Sequence, residues 1–122
     1  MKEEEKVYGN SYGKKGQTNL NKLLASDDLK ASMWLSHGFI VDRNLDKLGR
    51  ILQEKKIDCV IPDSHLDSDQ ICSKAMELDR VFVTSNLKLF NRKNVMNRVC
   101  VHYKDSPYKQ YQALQSFFSF GK

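Results

Sequence analysis

Asp42, Asp63, Asp67 and Asp69 are the side chains best placed to do chemistry, because each stands where an apolar segment gives way to a polar one. Carboxylates gathered at one place suit Mg²⁺ or Mn²⁺, hard ions that take oxygen ligands and keep several waters. Such an ion activates water and neutralises charge on a phosphodiester. Asp is also the ordinary residue of turns and helix caps, so each of the four has a purely local reading as well. Ser85 and Asn86 share the placement, directly after Val81–Thr84. Other chemistries find less support. Cys59, Cys72 and Cys100 are dispersed, form no C-x-x-C pair and lie in apolar segments, so they read as small buried hydrophobes. His37, His65 and His102 form no Ser-His-Asp or Cys-His arrangement, and His65 near Asp63 reads as a solvated loop residue rather than a proton shuttle. Gly9 to Lys15 superficially looks like a phosphate loop. Its spacing is one residue short, Lys15 stands where Ser or Thr is required, and no strand precedes it.

The elements that must position these residues follow from hydrophobic periodicity. Residues 1–18 lack it and read as a flexible lead-in; residues 19–122 read as one domain. Residues 19–36 predict two short helical pieces, one with Leu20, Leu23 and Leu24 on its apolar face. The other carries Leu29, Met33 and Trp34 after Ser26 and Asp27 as caps, and Gly38 ends it. A regular alternation follows. Phe39–Val41 predicts a strand, Asn44–Lys56 a helix with Leu45, Leu48, Ile51 and Leu52 inward, and Ile57–Ile61 a second strand closed by Pro62. Asp67 or Ser68 caps a helix to Leu78 with Ile71, Ala75 and Leu78 inward. Val81–Thr84 is the third strand, Leu87–Arg92 a short helix, Arg98–Tyr103 the fourth strand. Ser106-Pro107 opens the last helix, with Tyr111, Leu114, Phe117 and Phe118 apolar. Near-continuous apolar strands alternating with helices imply a parallel sheet covered on both faces. In such sheets sites form beyond the carboxyl ends of the strands where strand order reverses. Asp42 meets Ser85 and Asn86 there if the first and third strands are neighbours.

The net charge of +5 is unevenly spread: Arg80 to Lys122 holds eight Lys/Arg and one acid, Asp105, against twelve and fourteen in Met1 to Asp79. A basic face attracts phosphate through counterion release. Lys88, Arg92, Lys93 and Arg98 follow the third strand, and Lys104 and Lys109 extend the face. Phe90 or Tyr103 offers a ring for a base to stack on, Phe90 being read first as core. Trp34, Phe117, Phe118 and Phe120 are more aromatic surface than two helices usually hide, which reads as a partner interface. No apolar run has the roughly 18–20 residues of a membrane span, and the charged start is not a signal peptide, so an intracellular protein without a membrane partner is expected.

The stretch FIVDRNLDKLGRILQEKKIDCVIPD followed by DSDQICSKAMELDRVFVTSNLKLF resembles the Mut-seven C-terminal RNase family over residues 38 to about 93. The shared order is a strand ending in Asp, a Leu-faced helix, an Ile-Asp strand, a polar loop, an acidic-capped helix and a third strand. The resemblance implies a PIN-like (Rossmannoid) three-layer α/β domain with a short, mainly parallel four-stranded sheet. It makes Asp42 the first-strand metal-binding Asp, and Asp67 or Asp69 the acidic start of the middle helix. Thr84-Ser85-Asn86 stands where the family has Thr-Arg-Asp, so an amide replaces a carboxylate and the Arg is missing. The implied catalytic set, Asp42, Asp67, Asp69 and Asn86, is therefore degenerate. It takes no cofactor or a weakly bound Mg²⁺ or Mn²⁺ on the three aspartates. The family includes animal proteins in which this domain follows a 3′–5′ exoribonuclease domain, among them an exonuclease of RNA silencing. The expectation is a module of such an enzyme, cytoplasmic (in perinuclear granules) or nuclear, that binds single-stranded RNA without strong sequence preference and docks a protein of a silencing complex. The alternative is an active Mg²⁺- or Mn²⁺-dependent ribonuclease.

Overall fold

The computed structural model describes residues 23–92 and 97–120. In chain order they form β1 (Leu24–Ala25), a 3-10 turn (Ala31–Met33), α1 (Trp34–His37), β2 (Phe39–Val41), α2 (Asp46–Glu54) and β3 (Cys59–Val60). Then come α3 (Ser68–Leu78), β4 (Val81–Thr84), α4 (Leu87–Phe90), β5 (Arg98–Cys100) and α5 (Pro107–Phe118). One sheet of order β1-β5-β4-β2-β3 runs through the middle. β3, β2, β4 and β5 are mutually parallel, and β1 is antiparallel to β5.

Both faces of the sheet are dry, which explains why its strands read as unbroken apolar runs. Phe39, Val41, Val81, Val83 and Val99 point to one face and meet Leu48 and Leu52 of α2 and Leu114 and Phe118 of α5. Ile40 and Phe82, one residue out of phase, point to the other and meet Ile71, Cys72 and Ala75 of α3. This is the expected α/β three-layer arrangement. At Gly49 of α2 a Cβ would stand 2.7 Å from Ile61 Cγ1 and 3.1 Å from Val41 Cγ2, so the missing side chain lets α2 lie close against β2. At the amino end of the sheet Arg80 Nη1 bonds Asp58 Oδ1 at 3.0 Å and the Phe39 carbonyl at 3.2 Å. Gly38, with φ of 72°, turns the chain from α1 into β2 between those two side chains.

Four expectations need correction. The sheet has five strands, because Leu24–Ala25 pairs with Val99 and Cys100 instead of forming a helix face. Ser26 is no helix cap; its N–H bonds the Arg98 carbonyl and its Oγ accepts the Arg98 N–H, closing the strand pair. Leu20 lies outside the described residues. Leu78 is 42% exposed, since the last turn of α3 runs past the sheet to a left-handed Asp79. Finally, the aromatic patch is core. Ser119 takes a left-handed conformation (φ 59°) that ends α5 and folds Phe120 back under the sheet. There Phe120 packs edge-on to Trp34 at 5.1 Å and stacks with Phe118. Phe118 and Phe120 are buried, and Trp34 and Phe117 are half-buried against the same cluster.

Candidate functional site

β2 and β4 are neighbours, with Val41 opposite Val83. Strand order reverses between them, since β3 lies beyond β2 on one side and β5 beyond β4 on the other. The residues after these strands, Asp42 and Thr84-Ser85-Asn86, therefore share the crevice that the sequence indicates.

Asp42 is buried, at 3% exposure. Its Oδ1 accepts hydrogen bonds from the Arg43 N–H at 2.8 Å and from Ser68 Oγ at 2.9 Å; its Oδ2 accepts one from Thr84 Oγ1 at 2.8 Å. Thr84 Oγ1 in turn accepts the Asn86 N–H at 3.0 Å. The carboxylate thus ties the tips of β2 and β4 to the first turn of α3. Three donors compensate its charge, which is what a buried carboxylate requires.

The other aspartates do not join it. Asp67 is exposed and caps α3: its Oδ1 accepts the Gln70 N–H at 2.9 Å, and Gln70 Oε1 accepts the Asp67 N–H in return. Asp69 forms an ion pair with Arg92, so an expected metal ligand and an expected RNA contact are matched to each other. That pair lies close enough to Asp42 for all three to act on Cys72. Its thiol is pushed up chiefly by burial, then by Asp42, with Arg92 opposing. Asp63 is exposed beside His65, and Asp79 is at the amino end of the sheet beside His37, so neither supplies a missing carboxylate. Asn86 Oδ1 caps α4 by accepting the Lys88 N–H at 2.9 Å. Among the described residues no three His, Cys, Asp or Glu side chains converge. The donor set does not fit a hard divalent ion: its one central carboxylate is buried and spent on protein donors, and the flanking oxygens are held elsewhere.

One strand spacing away the same edge of the sheet is open. Between the ends of β4 and β5 lies a cavity of about 480 Å³. Asn44, Ser85, Asn86 and Leu87 line one side, and the chain from Cys100 to Tyr103 lines the other. Cys100 contributes no thiolate, because burial pushes its thiol up to about 12. The Cys100–Tyr103 wall is firmly held. Val101 N–H continues the ladder to the Thr84 carbonyl at 2.9 Å, and the His102 carbonyl accepts both the Asp105 N–H and Gln110 Nε2. The His102 ring accepts the Lys104 N–H at 3.1 Å and stacks on Tyr103, with centroids 5.4 Å apart and planes 7° from parallel.

The basic residues divide similarly. Lys88, Lys104 and Lys109 are exposed; Lys88 and Lys104 adjoin the lining residues Leu87 and Tyr103 in the chain, and Lys109 lies on α5. Lys104 Nζ lies 5.8 Å from the Tyr103 ring centroid. Arg98 is half-buried, donates from Nε to the Phe90 carbonyl and covers the Phe90 ring at 5.4 Å. Phe90 is accordingly core, while Tyr103 is 68% exposed. Lys93 lies outside the described residues.

Sequence reasoning missed Thr84 and Ser68 as partners of Asp42. The signal for Thr84 was present, since adjacent parallel strands that end in the same register bring Thr84 beside Asp42. Ser68 carried no such signal. Asn44 and His102 were also missed as cavity residues.

Among the described residues no helix is long and apolar enough to cross a membrane. The family model of the Mut7-C RNAse domain matches residues 37–120. No curated protein and no solved structure matches the chain.

Proposed function

Because the chain belongs to the Mut7-C RNAse domain family, a nuclease-like fold that engages RNA, we propose that it binds single-stranded RNA without hydrolysing it. One observation carries the reading: the Asp42 carboxylate is buried and already accepts three protein donors, two on Oδ1 from Arg43 and Ser68 and one on Oδ2 from Thr84, which favours a role in the fold over one in holding an ion and a water. Asn86 supports it, because an amide adds no negative charge and its oxygen is already a helix cap. Binding then rests on exposed lysines and a stacking ring, which favour RNA through charge and π-surface rather than base sequence. In a longer protein such a module would hold RNA for a separate exoribonuclease domain of RNA decay or silencing. Phe118 and Phe120 are buried, so a docked partner would meet only the exposed parts of Trp34 and Phe117 among those residues.

The test pairs anisotropy titrations of labelled single-stranded RNA with a gel assay for cleavage, each in Mg²⁺, in Mn²⁺ and in EDTA. The expected result is binding that is the same in all three and RNA that stays intact. Cleavage that depends on metal and disappears in Asp42→Asn would instead establish an active ribonuclease.

A further inference from the structure

We infer that the cavity between the ends of β4 and β5 is a subsite for one unpaired nucleobase, which stacks on Tyr103. The inference rests on the reading of this domain as an RNA binder and adds the place where the strand is gripped. Tyr103 is the only strongly exposed aromatic ring on the cavity wall among the described residues. It is also held in advance: His102 lies flat against it, and the His102 carbonyl is fixed by Gln110 and Asp105. A ring already ordered loses little conformational entropy when a base settles on it.

The opposite wall has the chemistry of a base edge. Asn44, Ser85 and Asn86 present amide and hydroxyl groups. Asn86 keeps its Oδ1 on the Lys88 N–H, so Nδ2 is the end offered to a carbonyl of the base. Leu87, Val101 and the neutral Cys100 thiol supply apolar contact, and Lys88 and Lys104 stand beside the mouth where flanking phosphates would run. The volume of about 480 Å³ suits a small planar group with its sugar and lies within the usual range of ligand clefts. Stacking tolerates every base, so the preference expected is a modest one against adenine, which has no carbonyl for Nδ2.

The experiment compares the full chain's affinity for a labelled oligouridylate with that for an abasic ribose-phosphate oligomer of equal length and charge, at low salt. Stacking predicts about tenfold tighter binding of the base-bearing strand. Tyr103→Ala should abolish that preference and leave the salt dependence unchanged, whereas Tyr103→Phe should keep it. Tyr103 is exposed, so an unchanged thermal melt is the expected fold control. Equal affinity of the wild type for both oligomers, or a preference that survives Tyr103→Ala, overturns the base subsite and leaves the RNA reading intact. Failure to bind either oligomer overturns both.

Discussion

Two gaps between strand tips lie side by side on one edge of the sheet, and they are built in opposite ways. Between β2 and β4 an aspartate is buried and held by three donors. Between β4 and β5 a cavity is open, its walls ordered but not filled. The first gap is where strand order reverses and where α/β folds usually place their chemistry. In this chain the polar groups of that position hold the fold together, and the proposed recognition site lies one strand along. A carboxylate at the expected place thus does not by itself mark a reaction; the test is whether its oxygens are free.

The contrast breaks most sharply at Asp42. Asp42→Ala leaves the buried Thr84 hydroxyl and the part-buried Ser68 hydroxyl and Arg43 N–H without their acceptor, and should cost about 3 kcal/mol in urea unfolding. Thr84→Val, nearly the same in shape, removes one donor to Asp42 and the acceptor of the Asn86 N–H. It should cost about 2 kcal/mol by the same measurement. If either variant were as stable as the wild type, the closed gap would not be structural and a catalytic reading of Asp42 would regain force.

An effect absent at neutral pH sharpens the other side. Burial pushes the Cys59 and Cys100 thiols up from 9.0 to about 12. Below pH 9 both are protonated in folded and unfolded chains alike, so their contribution is constant. Between pH 9 and about 12 the unfolded thiols ionise and the folded ones do not. Stability therefore falls as pH rises, by up to about 1.4 kcal/mol per pH unit for each thiol. Cys72, raised in the same direction, adds to the fall. Cys100→Ala should lessen the alkaline slope in a pH series of melts. An unchanged slope would mean that the cavity wall admits water to the sulfur.

Most of the site's frame was legible in the sequence. Strand ends and parallel pairing put Asp42 and Asn86 on one edge of the sheet, and they meet because β2 and β4 are neighbours, a condition the apolar runs alone left open. The state of Asp42 was not legible. It depends on Ser68, twenty-six positions away, and a hydroxyl that donates to a carboxylate looks in sequence like any serine at a helix start. β1 was missed because two residues cannot show a period of two, and Leu23-Leu24 fits a helix face equally well. The aromatic cluster was misplaced for a backbone reason: a left-handed Ser119 reverses the chain, and periodicity read along α5 does not anticipate the reversal.

The pairing of Arg92 with Asp69, together with Arg98 held on Phe90, bears on how RNA affinity responds to ionic strength. Six cations appear along the basic stretch, but Arg92 and Arg98 already donate to Asp69 and to the Phe90 carbonyl, and Lys88, Lys104 and Lys109 are the exposed remainder among the described residues. Counterions displaced from a single strand by these three lysines, with or without Lys93, give a log–log exponent of about −2 to −3, against about −4 for all six. The domain should therefore keep its hold on RNA across a range of salt that would strip a protein using every charge it carries.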